Sequence, residues 1–321
     1  MRMLITCIAF ALAAVFFLAQ CSAPDRKGEH AGQIRVLSTT AMIDDVVAKV
    51  GGERVEHSAL IIGEMDPHSY ELVKGDDEKI IDADIVFYNG LNLEHGASLH
   101  AKLQKHPFSL AVGDDVLQRH PEVVLHVNGE MDPHLWMDIS AWQYVIDPIL
   151  QSLVQADPEG ELYYRERAQE CRKEMLSVHA QIVQELQNIP EEKRFLVTSH
   201  DAFGYFARSY LATPDEQITG EWKKRLAAPE GLAPDGQLST MDIQAIIDFL
   251  LFHHVQVVFP ESNVSKDSLK KIVFACREKK REIKFSAQVL YGDAMGAKNS
   301  DAGTYLDMIQ HNAKTLVQEW Q

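Results

Sequence analysis

The run from Glu161 to Ile189, ended by Pro190, contains neither Gly nor Pro, and no other stretch constrains the fold as strongly. Ala168, Cys171, Met175, Val178, Ile182, Leu186 and Ile189 recur in steps of three and four, which stacks them along one side of an α-helix. Arg165, Glu166, Arg172, Lys173, Glu174 and Glu185 fall largely elsewhere on that helix. Asp157-Pro158-Glu159 supplies an N-cap, a Pro at the first helical position and an early acid, and Pro190 ends the run. The spacing predicts a helix from about Glu159 to Ile189, a rod on the order of 45 Å at ~1.5 Å per residue. Such a rod is either one member of an all-α region or a strut joining two halves. Its flanks favour the strut.

Before the rod, strands are predicted at Ile34–Ser38, Arg54–Ile62, Asp84–Tyr88 and Phe108–Val112. Helices are expected from Thr40 to a stop at Gly51-Gly52, near Asp76–Ala83, and from a Ser140 cap to about Gln155. After the rod, strands are predicted at Arg194–Thr198, Val255–Pro260 and Ile283–Leu290. Helices are expected from Asp201 to Tyr210, Thr240 to His253, Lys266 to Lys280 and Thr304 to Trp320, with Thr213–Gly236 mostly loop. Alternation of this kind on both sides implies two α/β lobes with mainly parallel sheets. The expected division is an N-terminal lobe at 34–157, a connecting helix at 158–190 and a C-terminal lobe at 191–321.

A length of 321 residues, 46% of them hydrophobic, is enough for two real cores. The net charge of −16, with no basic block, argues against nucleic acid and anionic membrane as partners. Arg2 precedes an uncharged apolar run from Met3 to Ala19, then Gln20-Cys21-Ser22-Ala23-Pro24 and a polar stretch. This pattern predicts a signal peptide over 1–20, followed by a flexible leash over 21–33. Leu18-Ala19-Gln20-Cys21 resembles a lipoprotein cleavage site, so an exported chain anchored by lipid on Cys21 is expected, with Gln20 as a departure from the usual small residue. Cys171 and Cys276 remain, either as a disulfide or, as expected here, as two buried thiols.

Met65-Asp-Pro-His68 and Met131-Asp-Pro-His134 are identical tetrapeptides. Each His is followed by an aromatic (Tyr70, Trp136) and then an acid (Glu71, Asp138). Pro stiffens the loop and restricts the Asp before it, which leaves a carboxylate placed to accept the imidazole's second N–H. His200 and Asp293 likewise follow predicted strands, and in α/β sheets ligands collect beyond the strand C-termini. Two candidates precede the rod and two follow it. Three imidazoles and one carboxylate suit Mn²⁺, Fe²⁺ or Zn²⁺. No comparable set forms around His253-His254 or His311.

The motifs Asp66-Pro-His-Ser-Tyr-Glu71, Asn89-Gly-Leu-Asn-Leu-Glu94 and Asp132-Pro-His-Leu-Trp-Met-Asp138 are joined by Thr198-Ser-His-Asp-Ala-Phe-Gly-Tyr-Phe206 and Leu290-Tyr-Gly-Asp293. With these, the chain from Ile34 to its end resembles the TroA-like metal-binding lipoproteins of ABC importers, the cluster A-I or family 9 solute-binding proteins. Glu221-Trp222, Pro229-Glu-Gly-Leu232 and Val73-Lys-Gly-Asp76 look nearest to the chlamydial YtgA-type and treponemal branch. The resemblance implies two (β/α)4 lobes joined by one long backbone helix. It also implies a metal held between them by His68, His134, His200 and Asp293, and delivery of that metal to a permease in the cytoplasmic membrane. The expectation is thus a non-enzymatic, monomeric binding protein, lipid-anchored in the periplasm or on the outer face of the cytoplasmic membrane. Its cargo is one divalent transition metal.

The resemblance bears on the metal as well. Zinc-dedicated members carry a long His- and Asp-rich loop between the first two ligands, and this chain has none. Manganese-dedicated members often place Glu where this chain has His200. The set here resembles members that accept both ions, and YtgA-type relatives are associated with iron. Two other classes stand beside this reading. A metal with an open position would make a hydrolase, although no His-Glu-x-x-His is present. A lipid-displayed adhesin or interaction module would need no metal at all.

Overall fold

The computed structural model describes residues 33–234 and 239–321 of the protein. The expected signal peptide, Cys21 and all of the leash except Gln33 lie outside the described residues. No described helix is long and apolar enough to cross a membrane.

Four strands, β1 (Ile34–Ser38), β2 (Val55–Ala59), β3 (Ile85–Tyr88) and β4 (Ser109–Ala111), form a parallel sheet in the order β2-β1-β3-β4. Val36 of β1 pairs with His57 on one side and Ile85 on the other. Parallel neighbours need crossovers, and α1 (Ala41–Gly51), α2 (Asp76–Asp82) and α3 (Ala97–Leu103) supply them. Met42, Ile43, Val46, Val47 and Val50 of α1 are all fully buried, because that helix lies between the sheet and the long helix. Gly52 stops it with φ of 52°, a conformation that costs a side chain more than glycine.

Next come α4 (Val112–Arg119), a two-residue antiparallel hairpin of β5 (His126–Val127) and β6 (Glu130–Met131), α5 (Ile139–Trp142) and α6 (Ile146–Ala156). The rod is α7, Glu161–Gln187, preceded by a 3-10 turn at Pro158–Gly160 whose Gly160 N–H is capped by Asp157. Its 27 residues span about 40 Å. Ala168, Cys171, Met175, Ile182 and Leu186 are buried as the spacing requires, together with Tyr164. Fully burying side chains such as Met175, Ile182 and Leu186 contributes ~1.5–3 kcal/mol each. A Pro introduced at Met175 would remove that packing and, by breaking a helical hydrogen bond and clashing with the preceding turn, cost a further ~3 kcal/mol.

Beyond α7 lie β7 (Leu196–Val197), α8 (Gly204–Phe206), a π-helical turn at Ala207–Leu211, α9 (Pro214–Thr219) and β8 (Leu226–Ala227). They are followed by α10 (Thr240–Phe252), β9 (Val257–Val258), α11 (Asp267–Glu278), β10 (Lys284–Phe285) and α12 (Tyr305–Trp320). β7 pairs with β8, and β9 with β10, both parallel. The Phe259 N–H donates to the Val197 carbonyl at 2.9 Å and brings β9 beside β7. The resulting order, β8-β7-β9-β10, repeats that of the first sheet. The α/β architecture with mainly parallel strands and one long helix is therefore as expected.

Several local expectations are corrected. The cap before α5 is Asp138, which accepts the Ser140 N–H at 2.8 Å, rather than Ser140 itself. The segment 213–236, expected to be mostly loop, holds α9, opened by a Thr213–Glu216 capping box, a 3-10 turn at Glu221–Arg225 and β8. The strand expected over Ile283–Leu290 pairs only at Lys284–Phe285 and through a single bridge at Leu290. The helix expected from Asp201 starts at Gly204 and turns into the π form. Short α3 and α4 were not foreseen, since neither carries a long periodic pattern. Cys171 and Cys276 are free and buried in separate apolar clusters.

Candidate metal centre

His68, His134, His200 and Asp293 converge, each offering a donor atom within 4.8 Å of all the others. His68 Nε2 lies 3.2 Å from His134 Nε2 and 3.9 Å from Asp293 Oδ2. Asp293 places Oδ1 3.3 Å from His134 Nε2 and Oδ2 3.1 Å from His200 Nε2. All four residues are buried, so neither His200 nor Asp293 is on the surface.

Each loop that carries a candidate ligand is held from below. Asp66 accepts the His68 backbone N–H at 2.9 Å and the Ser69 hydroxyl at 2.6 Å, so its carboxylate is spent on the turn rather than on the imidazole. Asp132 does both, accepting the His134 backbone N–H at 3.0 Å and lying 2.8 Å from Nδ1. The identical tetrapeptides thus perform different jobs. The acids that follow them cap helices: Glu71 accepts the Ala97 N–H at the start of α3, as Asp138 does for α5. Asn89 donates to the Pro133 carbonyl at 3.0 Å, and the Tyr205 hydroxyl bridges the Leu125 N–H and the Asp132 carbonyl, 2.9 Å to each.

For His200 the orienting group is Glu261, which motif spacing did not reveal. Its Oε1 accepts the backbone N–H groups of Ser199 at 2.9 Å and His200 at 2.8 Å. Its Oε2 stands 2.7 Å from His200 Nδ1, short but off the line of a straight hydrogen bond. One available signal was its place just past the strand at Val255–Pro260, the position that drew attention to the other candidates. Gly292 runs so close that a Cβ there would come 2.4 Å from Glu261 Oε2, which explains the glycine before Asp293. The Gly292 carbonyl accepts the Trp136 indole N–H at 2.8 Å, tying the Asp293 loop to the His134 loop.

Charge is arranged around this centre. Burial holds His68 down to about 4. Burial opposes protonation of His134 too, but Asp132 and Asp293 outweigh it and raise this imidazole to about 9. For His200 burial is likewise overcome, by Glu261 and Asp293, and its pKa rises well above the ordinary value. Against burial, His200 and His134 keep Asp293 far below the usual carboxylate range. Without a metal the centre thus pairs an ionised Asp293 with two readily protonated imidazoles, His134 and His200.

A cation fits this donor set. A tetrahedron with metal–ligand bonds of about 2.0–2.1 Å has edges of about 3.3–3.4 Å, and the observed donor separations bracket that range. His200 Nε2 and Asp293 Oδ1 make no aligned hydrogen bond despite near neighbours. Leaving buried polar atoms unpaired costs ~1–3 kcal/mol each, a cost that a shared ion removes.

Residues 36–319 match the family described as the zinc-uptake complex component A, periplasmic (ZnuA). The crystal structure of Fe(III)-bound YtgA from Chlamydia trachomatis is similar at 36% identity and a TM-score of 0.84, covering 90% of this chain and 98% of that one. The manganese-binding lipoprotein MntA of Bacillus subtilis is 34% identical over 310 residues, 96% of this chain and 97% of the relative. The periplasmic zinc-binding protein TroA of Treponema pallidum matches with a TM-score of 0.80 at 28% identity, covering 89% of this chain and 99% of that one.

Proposed function

The chain belongs to the ZnuA family of periplasmic metal-uptake components, and from that premise we propose that His68, His134, His200 and Asp293 hold the imported ion. The protein is a periplasmic metal-binding component of ABC-type metal import. The observation that carries the ligand assignment is that one buried donor atom from each of the four residues lies within 4.8 Å of the others. Those atoms come from two loops before α7 and two after it.

Relatives described as binding iron(III), manganese and zinc bound the cargo to a transition metal. Mn²⁺, Zn²⁺ and Fe²⁺ all suit three imidazoles and a carboxylate, and Zn²⁺ should bind more tightly than the other two divalent ions whatever the cargo is. Buried carboxylates of Asp132 and Glu261 behind the imidazoles add negative charge, which also suits Fe³⁺. Import follows from release to a cytoplasmic-membrane permease, with the protein monomeric and held near it by lipid on Cys21. We read 34–157 and 191–321 as the two lobes and 158–190 as a strut that limits hinge opening. Small movements of the His200 and Asp293 loops then suffice for release.

Elemental analysis of protein purified without added metal, followed by competition titration, tests the reading. One ion per chain is expected, and loss of binding in His134→Ala. Stoichiometric binding that survives both His134→Ala and Asp293→Ala would refute the ligand set.

A further inference from the structure

One imidazole stands beside the site without belonging to it. The His95 ring centroid lies 5.8 Å from that of His68, the planes inclined by 51°. His95 is exposed, whereas His68 retains 3% exposure of its side chain and His134 and His200 retain none. His68 is therefore the ligand on the solvent side, and His95 covers it.

The turn that presents His95 is built with effort. Leu91 and Asn92 both adopt left-handed backbone, φ 51° and 64°, which costs non-glycine residues of order 1 kcal/mol or more each. Buried Glu94 holds this turn by accepting the Asn89 N–H at 2.7 Å and the Gly90 N–H at 3.0 Å, and Asp114 accepts the Leu91 N–H at 2.8 Å. Three contacts then fix His95. Its backbone N–H is shared between the Leu93 carbonyl at 3.0 Å and the His68 carbonyl at 3.3 Å, and its Nδ1 faces the Asn92 carbonyl at 3.3 Å. A carbonyl at Nδ1 requires the proton there and leaves the lone pair on Nε2, the arrangement that metal-binding imidazoles need.

Resting on the ligand assignment above, we propose that His95 is a transient ligand at the mouth of the site, taking the incoming cation from solvent and passing it to His68. The step exchanges a bound water for an imidazole and then one imidazole for another, with no net proton or electron change. An entry ligand lowers the barrier in both directions, so it speeds association and release together and leaves the equilibrium constant alone.

Stopped-flow tryptophan fluorescence with Zn²⁺ alone is the test, since Trp136 lies 5.3 Å, ring to ring, from His134. His95→Ala should slow association and dissociation by a similar factor, about fivefold or more, with the titrated affinity unchanged. His95→Phe keeps the ring but removes the lone pair and should be as slow as His95→Ala. His95→Asp, which restores a donor, should recover most of the rate. A Phe variant as fast as the parent overturns the proposal, because the ring would then act by packing. Altered affinity through dissociation alone also overturns it and makes His95 a positioning residue for His68. A parent protein that takes up no Zn²⁺ refutes the ligand assignment itself, and the entry step with it.

Discussion

Glu261→Gln isolates what a carboxylate behind a ligand does. In the parent, Oε1 accepts two backbone N–H groups and Oε2 faces Nδ1 of His200. Glutamine has nearly the same shape but only one acceptor oxygen. With that oxygen on the backbone, the amide NH2 meets the Nδ1 proton, and donor faces donor. The imidazole can escape by moving its proton to Nε2, but that nitrogen then has no lone pair for a metal. Reversing the amide puts its NH2 against the Ser199 and His200 N–H groups instead. The first arrangement loses the short carboxylate–Nδ1 contact and the second loses two backbone hydrogen bonds to a charged acceptor, ~1.5–3 kcal/mol for each such bond. Metal affinity should fall by roughly 10- to 100-fold, in the range that lost support behind a metal ligand usually costs. Competition titration of Zn²⁺ against a chromophoric chelator at pH 7.5 measures it, with circular dichroism confirming an unchanged fold. An affinity within about twofold of the parent would refute the view that Glu261 sets the His200 tautomer.

Other outcomes follow from the same geometry. Gly292→Ala puts a methyl against Glu261 Oε2, so it should weaken metal binding in the same direction as Glu261→Gln, and an unchanged titration would contradict this. Imidazoles bind metal only when deprotonated, so metal content after dialysis at pH 5 should fall below that at pH 7.5; equal content would mean other ligands hold the ion. Small-angle scattering with and without metal should give closely similar radii, and a large change would defeat the role of α7 as a stiff strut. Away from the site, burial raises Asp45 on α1 from 3.8 to about 6, and its Oδ2 has no hydrogen-bond partner. The folded state thus binds this proton more tightly than the unfolded state. That stabilisation is complete below pH 3.8 and is lost as pH rises through about 6. At ~1.4 kcal/mol per pKa unit the loss is at most about 3 kcal/mol. Asp45→Asn should flatten the decline in denaturant stability between pH 4 and pH 7 relative to the parent, and parallel profiles would remove Asp45 as its source.

Local chemistry wrote much of this protein into its sequence. A run without Gly or Pro and with apolar residues three and four apart can be little else than a long helix, and Ala168, Cys171, Met175, Ile182 and Leu186 are buried accordingly, with Val178 half-buried. Asp-Pro-His is legible because an Asp two residues before a His reaches its backbone N–H, as Asp66 and Asp132 do. The four candidate ligands could be singled out because each follows a strand or stiff turn. What the sequence left open was which groups meet across long separations. Glu261 reaches His200 over 61 residues, Trp136 reaches Gly292 over 156, and His95 stands against His68 through a turn whose strain only the backbone reveals. Asp66 and Asp132 occupy identical motifs, yet only Asp132 faces an imidazole Nδ1. Contacts within a few residues are governed by bond geometry that each stretch carries with it. Those that tune the ion site depend on how two sheets settle against one helix, and no single stretch encodes that.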